Sequence, residues 1–162
     1  MQSVGPTVRQ LYPQGDQQLF RRLGEVLDGQ ARCTVAVALG RAGGQHLVGV
    51  AVETPKGPDR FKLSTLWVDP TMRRRGVGRR LVQNCLCRWA REETEVGFLT
   101  VRNQHSASVR SLLVPFGFDQ ASLELNRYGF GEDELVLQWS LAEQLAAADF
   151  ATPSMLDNAE LK

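Results

Sequence analysis

The chain has 162 residues, 43% of them hydrophobic, and its 19 Lys and Arg face 18 Asp and Glu for a net charge of +1. That size and apolar content fit one domain with one core, and the charge balance argues against nucleic acid as the main partner. No apolar run approaches the ~18 residues of a membrane span, and Met1-Gln2-Ser3-Val4-Gly5-Pro6 has no basic segment followed by an apolar one, so a cytoplasmic protein with no membrane partner is expected.

Val8-Arg9-Gln10-Leu11-Tyr12 alternates and predicts a first strand. A helix is expected next, from Asp16 as cap to Leu27, with Leu19, Leu23 and Val26 on one face and Gly29 as its stop. Cys33 to Leu39 and Leu47 to Glu53 read as a β-hairpin joined by Gly40 to Gln45, and Pro55-Lys56-Gly57-Pro58 turns the chain into a strand from Phe61 to Val68. From Val77 to Trp89 apolar residues recur at three- and four-residue intervals, the signature of one long amphipathic helix. Val96 to Val101 is the next strand, and Ser106 to Val114 a short helix stopped by Pro115 and Gly117. Two final strands, Phe118 to Leu125 and Glu134 to Trp139, flank a long loop. Ser140 with Glu143 suggests a capping box for a last helix, and residues 152–162 are expected to be loose. Cys33, Cys85 and Cys87 fit no metal-ligand spacing, so no metal is expected and inert thiols are the default.

The chemistry concentrates at Val68-Asp69-Pro70-Thr71-Met72-Arg73-Arg74-Arg75-Gly76-Val77-Gly78-Arg79-Arg80. There a strand gives way to a helix across a turn rich in glycine and arginine. The first N–H groups of a helix have no intrahelical partner and carry partial positive charge, so such a turn suits a pyrophosphate. Two glycines at a helix start cost of order 1 kcal/mol each relative to alanine, which suggests that close backbone approach requires them. The spacing is not that of a Walker A loop, and Leu81 stands where the dinucleotide fingerprint needs a third small residue. The five arginines from 73 to 80 also raise a nucleic-acid reading, which the net charge and the lack of interleaved aromatics disfavour.

The pattern Arg73-x-x-Gly76-x-Gly78, after an apolar strand and before an amphipathic helix, resembles the acetyl-CoA motif of the GNAT superfamily of N-acetyltransferases. The element order β, α, β, β, β, α, β, α, β, β is similar to that fold across roughly residues 6–140. The resemblance implies an α/β chain of mixed α+β type, a central mixed sheet that splays between residues 61–68 and 96–101, and flanking helices. Residues 1–140 would form the single domain, with 141–162 a helix and tail. It further implies acetyl-CoA as cosubstrate, with backbone groups of Leu66, Trp67 and Val68 pairing with the pantetheine arm. Arg73, Arg74, Arg75, Gly76, Val77, Gly78 and Arg79 would surround its phosphates, and Asn103 would hydrogen-bond the cofactor. The function implied is acetyl transfer to a primary amine, on a small molecule or a protein, by direct transfer in a ternary complex; a homodimer is left open.

Gly117-Phe118 matches the end of the family's second motif, but Leu113 occupies the place of its usual tyrosine, the common general acid. Tyr128, Ser106 and Ser108 are therefore candidates for that role. No carboxylate lies on the strand from 61 to 68, which makes Glu53 the candidate base, with His105 as another. The run Glu132-Asp133-Glu134 would attract a cationic amine. The missing tyrosine keeps a second class in view, an acyl-CoA-binding or regulatory module without turnover.

Overall fold

The computed structural model describes residues 21–22, 24–40, 43–126, 129 and 133–151. The expected first strand, Asp16, Tyr128, Glu132 and the tail from 152 lie outside the described residues. Residues 24–27 are helical, and the chain leaves that helix at Gly29, whose φ of +72° is the left-handed turn a glycine takes readily.

Six strands form one sheet: β1 (Arg32–Leu39), β2 (Gln45–Gly57), β3 (Arg60–Val68), β4 (Val96–Arg102), β5 (Asp119–Glu124) and β6 (Glu134–Ser140). Their spatial order is β1-β2-β3-β4-β6-β5, with β3 and β4 parallel and the other neighbours antiparallel. The helices are α1 (Val77–Arg91), α2 (Ser106–Leu113) and α3 (Leu141–Ala151). The sheet is thus mixed and flanked by helices, as expected. Among the described residues no helix is long and apolar enough to cross a membrane.

One strand is longer than its sequence suggests. β2 runs on through Pro55 to Gly57. Its pairing with β1 ends at Glu53 and only β3 continues beside it, so Pro55 sits where one edge is open and its missing N–H breaks no ladder.

α1 covers one face of the sheet because its apolar stripe, Leu81, Val82, Cys85 and Trp89, falls at three- and four-residue spacing and is fully buried. Two glycines let it approach. A Cβ on Gly49 would stand 2.9 Å from both Leu81 and Val77, and one on Gly97 would stand 2.0 Å from the Trp89 ring. Trp89 then packs edge-on to Phe118 and against Trp139, joining α1 to the β4–β6 half of the sheet. These contacts fix the alternation: Gly49, Ala51 and Glu53 face α1, whereas Val48, Val50, Val52 and Thr54 face the opposite side.

Because Trp89 occupies the space above Gly97, Gly97→Ala is expected to destabilise the fold by about 3 kcal/mol through overpacking. The urea-unfolding midpoint checks this; Gly24→Ala, with open space at its Cβ, should leave the midpoint near or above that of the parent.

Candidate active site

β3 and β4 pair only at Arg60–Val96, Phe61–Gly97 and Lys62–Phe98, and beyond Lys62 they diverge. This is the expected splay. The register with β2 shows which groups line it. Asp69 N–H donates to Val48 O, so the opposed pairs Asp69–Val48 and Trp67–Val50 are the hydrogen-bonded ones, and Leu66 and Val68 turn their main-chain groups to the open edge. Trp67 therefore differs from the expectation: its backbone is turned towards β2, and the free pairing surface belongs to Leu66 and Val68. A bulge at Ser64, between Thr65 opposite Val52 and Leu63 opposite Glu53, lies just past the last β3–β4 pair.

Beyond Val68 the chain makes a tight turn. Asp69 Oδ1 accepts hydrogen bonds from Thr71 N–H (2.8 Å) and from its hydroxyl (2.6 Å), capping a single 3-10 turn, Pro70–Met72. These bonds, with Arg73 nearby, hold the Asp69 carboxyl below its usual range. Arg73 Nε donates back to Val68 O at 3.2 Å. Arg74 (φ +62°) and Gly76 (φ +82°) both adopt left-handed backbone, the kind of alternation that gathers N–H groups into an anion-binding concavity. The first bond of α1 runs from Arg80 N–H to Gly76 O, which leaves the amides of Val77, Gly78 and Arg79 without helical partners. No acidic residue stands in that first turn. Arg73, Arg74, Arg75, Arg79 and Arg80 are all exposed, and Arg79 lies over the Phe116 ring. Gly78 sits between Val68 and Leu112, so the helix start, the end of β3 and α2 meet there.

Glu53 is placed differently from an open catalytic carboxylate. It is 0% exposed, on the α1 face, with Oε2 2.9 Å from Arg88 Nη2. Arg88 also donates to Thr34 Oγ1, so the pair ties α1 to β1 and β2. Burial pushes the Glu53 carboxyl above its ordinary value; the Arg88 charge, then Trp89 and Cys85 close by, pull the other way. No donor is aligned well enough with either oxygen to make a full hydrogen bond, so the attraction to Arg88 is chiefly that of charge. Burial and the Glu53 charge push the Cys85 thiol up to about 12, which removes it as a nucleophile at neutral pH.

At the far wall, Asn103 and Ser106 come together. Ser106 Oγ donates to Asn103 O at 2.6 Å, and Asn103 N–H donates to Asp133 O, joining the end of β4 to the start of β6. Ser108 and His105 are exposed at the start of α2. Leu113 is completely buried in the main core. Among the described residues no three His, Cys, Asp or Glu are grouped to hold a metal ion.

An open strand edge thus runs straight into an acid-free helix start over a glycine turn, an arrangement whose main-chain groups could hold an extended ligand ending in phosphate. Residues 5–118 match the model of the acetyltransferase (GNAT) family, and the chain belongs to that family. No curated protein matches it in sequence. Solved structures share the fold: the IAA acetyltransferase from Bacillus cereus ATCC 14579 superposes with a TM-score of 0.67 at 16% identity, covering 86% of this chain and 93% of that one. Aminoglycoside 6'-acetyltransferase type Ii gives 0.68 at 18% identity over 82% of this chain and 84% of its own. A GNAT family acetyltransferase from Elizabethkingia anophelis with acetyl-CoA bound gives 0.67 at 12% identity, over 86% and 92%.

The elevated Glu53 carboxyl has a signed consequence. Its contribution to stability is complete below the unfolded value near 4.5 and is lost as pH rises through the higher folded value, because the folded chain resists the charge. Glu53→Gln is therefore expected to be at least as stable as the parent at pH 7.5, with the difference shrinking towards pH 5. Thermal unfolding of both at the two pH values checks the sign.

Proposed function

We propose that the chain is a cytoplasmic acetyl-CoA-dependent N-acetyltransferase that moves an acetyl group to a primary amine by direct transfer in a ternary complex. The observation that carries this reading is the continuity of the free β3 edge, at Leu66 and Val68, with the free amides of Val77, Gly78 and Arg79. An amide-bearing arm ending in a pyrophosphate suits such a surface, and the Elizabethkingia anophelis relative has acetyl-CoA bound.

In this reading the open edge takes the pantetheine amides as an added strand. The α1 amides hold the pyrophosphate, and Arg73, Arg74 and Arg75 supply charge, one of them towards the 3'-phosphate. A cleft-facing N–H, from Leu66 or Val68, polarises the thioester carbonyl. The nucleophile must be a neutral amine, so its proton has to leave before or during attack. Glu53, buried and paired with Arg88, acts as an anchor of α1 in this account. Tyr128, Ser106, Ser108 and His105 remain the candidates for proton transfer. Asn103 and Ser106 form the wall opposite β3, and Asp133, at the carboxyl end of β4, favours a cationic acceptor on approach, whereas Glu134 is buried.

Leu113 favours a second reading, an acyl-CoA-binding module without turnover, because an apolar core residue fills the place of the family's proton donor. Turnover separates the two. Acetyl-CoA at about 100 times its Kd should stabilise the parent by about 2.7 kcal/mol, a shift of several degrees in Tm. Gly78→Glu should abolish that shift. A Cβ there meets Val68 and Leu112 only at 3.4 and 3.5 Å, so the fold is kept while the rest of the side chain carries negative charge into the amide cradle. Thiol release with an amine panel then supports transfer, binding without release supports the module, and the absence of any shift would remove acyl-CoA from both readings.

A further inference from the structure

Three groups meet where β3 and β4 part. Ser64, the bulged residue two positions past the last β3–β4 pair, donates its hydroxyl proton to Thr54 Oγ1 at 2.8 Å. Thr54 is buried on the sheet face away from α1, and its oxygen also accepts from Arg22 Nη1 at 3.3 Å. Arg22, only 18% exposed, is itself held by Glu25 at 2.6 Å. A threonine oxygen has two lone pairs, and here both are engaged by donors. Ser64 Oγ also lies 3.4 Å from Lys62 O, a second and weaker acceptor for its one proton, and the Ser64 lone pairs are left to accept a hydrogen bond.

The start of α1 lines the other face of the cleft. α1 begins against β3 there, and Gly78 touches both Val68 and Leu112 of α2. Ser64 is half-buried at the inner end of the open edge, on the side that carries Thr54 and Arg22. On that same side the indole N–H of Trp67 is buried and has no hydrogen-bond partner among the described residues.

We propose that Ser64 Oγ is the acceptor-positioning group of this enzyme: it receives an N–H of the incoming neutral amine and aims the nitrogen lone pair at the thioester carbonyl, with Thr54 and Arg22 as its positioning residues. The assignment rests on the acetyl-transfer reading given above. In the step it serves, the amine nitrogen forms the new C–N bond and the C–S bond breaks with its electron pair on sulfur. One amine proton reaches that thiolate through solvent. Ser64 neither gains nor loses a proton.

Ser64→Ala, Thr54→Val and Thr54→Ser test this, with hydroxylamine and spermidine as probe amines and acetyl-CoA as donor. Ser64→Ala should lower kcat about tenfold, the rate equivalent of one ordinary hydrogen bond made in the transition state, while the Tm shift given by acetyl-CoA stays that of the parent. Thr54→Val keeps shape and removes the acceptor oxygen, so it should lower kcat similarly without loss of acetyl-CoA binding. Thr54→Ser should restore most of that rate. In the protein alone, the Tm losses of Ser64→Ala and Thr54→Val should be less than additive, since both break one hydrogen bond. Unchanged turnover in Ser64→Ala, or additive Tm losses, overturns the assignment and leaves the transferase intact. A parent that binds acetyl-CoA but accelerates release with neither amine overturns the transferase reading and this assignment with it.

Discussion

The parting of β3 from β4 after Lys62 and Phe98 is the constraint on which the rest depends. Each strand gives up ladder hydrogen bonds there, and a main-chain group buried dry without a partner costs as much as a lost hydrogen bond. Arg73 meets the Val68 carbonyl, and the remaining freed groups of Leu66 and Val68 must meet water or a ligand, which suits the gap to binding. The gap is held open from both ends. Below it, Trp89 sits on Gly97 and draws β4 against α1; above it, the start of α1 contacts Val68 and Leu112.

α1 also organises the charges. Its amino end has no acid in the first turn and several free amides, and its carboxyl end carries Arg88 and Arg91. Both arrangements suit the helix dipole, but they do different work. Arg88 reaches down to Glu53 and Thr34, fixing the helix to the sheet, while the other end carries no acidic residue in its first turn. The ionised Glu53 weakens the fold through its own desolvation, yet removing its charge affects Arg88 little, because that guanidinium keeps contact with solvent.

Much of this was legible in the sequence, and the gaps have physical reasons. The turn from Val68 to Gly78 announced itself because glycine spacing, a strand run and a 3.6-residue period coincide there. Gly29 and Gly117 marked helix stops, and both adopt left-handed backbone. Glu53 read as a residue at the end of a strand; its partner Arg88 lies 35 positions later in the numbering, and only packing brings them together. The roles of Trp67 and Ser64 depend on register. A bulge in Thr65-Ser64-Leu63 leaves no mark in a run that reads as ordinary strand, and alternation alone does not tell which main-chain groups face β2. Thr54 and Arg22 were hidden for the same reason, since their meeting requires the N-terminal helical segment to lie across β2.

A division of labour between the two sheet faces follows from these contacts. On the α1 side and along the open edge the groups on offer are backbone: amides at a helix end, unpaired strand groups, and the glycines between them. Side chains can change there with little effect on a ligand held by main-chain atoms. On the opposite side the polar groups are side chains, Ser64, Thr54, Arg22 and the Trp67 indole, each directed by a specific partner or awaiting one. Such groups discriminate sharply, because a buried donor or acceptor left unpaired costs far more than a missing methylene. In the proposed reading such a chain holds one phosphate-bearing ligand through its fold and chooses the second substrate through a few hydroxyls. The core position of Leu113 is consistent with that arrangement: it serves packing, and the chemistry at the cleft is left to residues that face it.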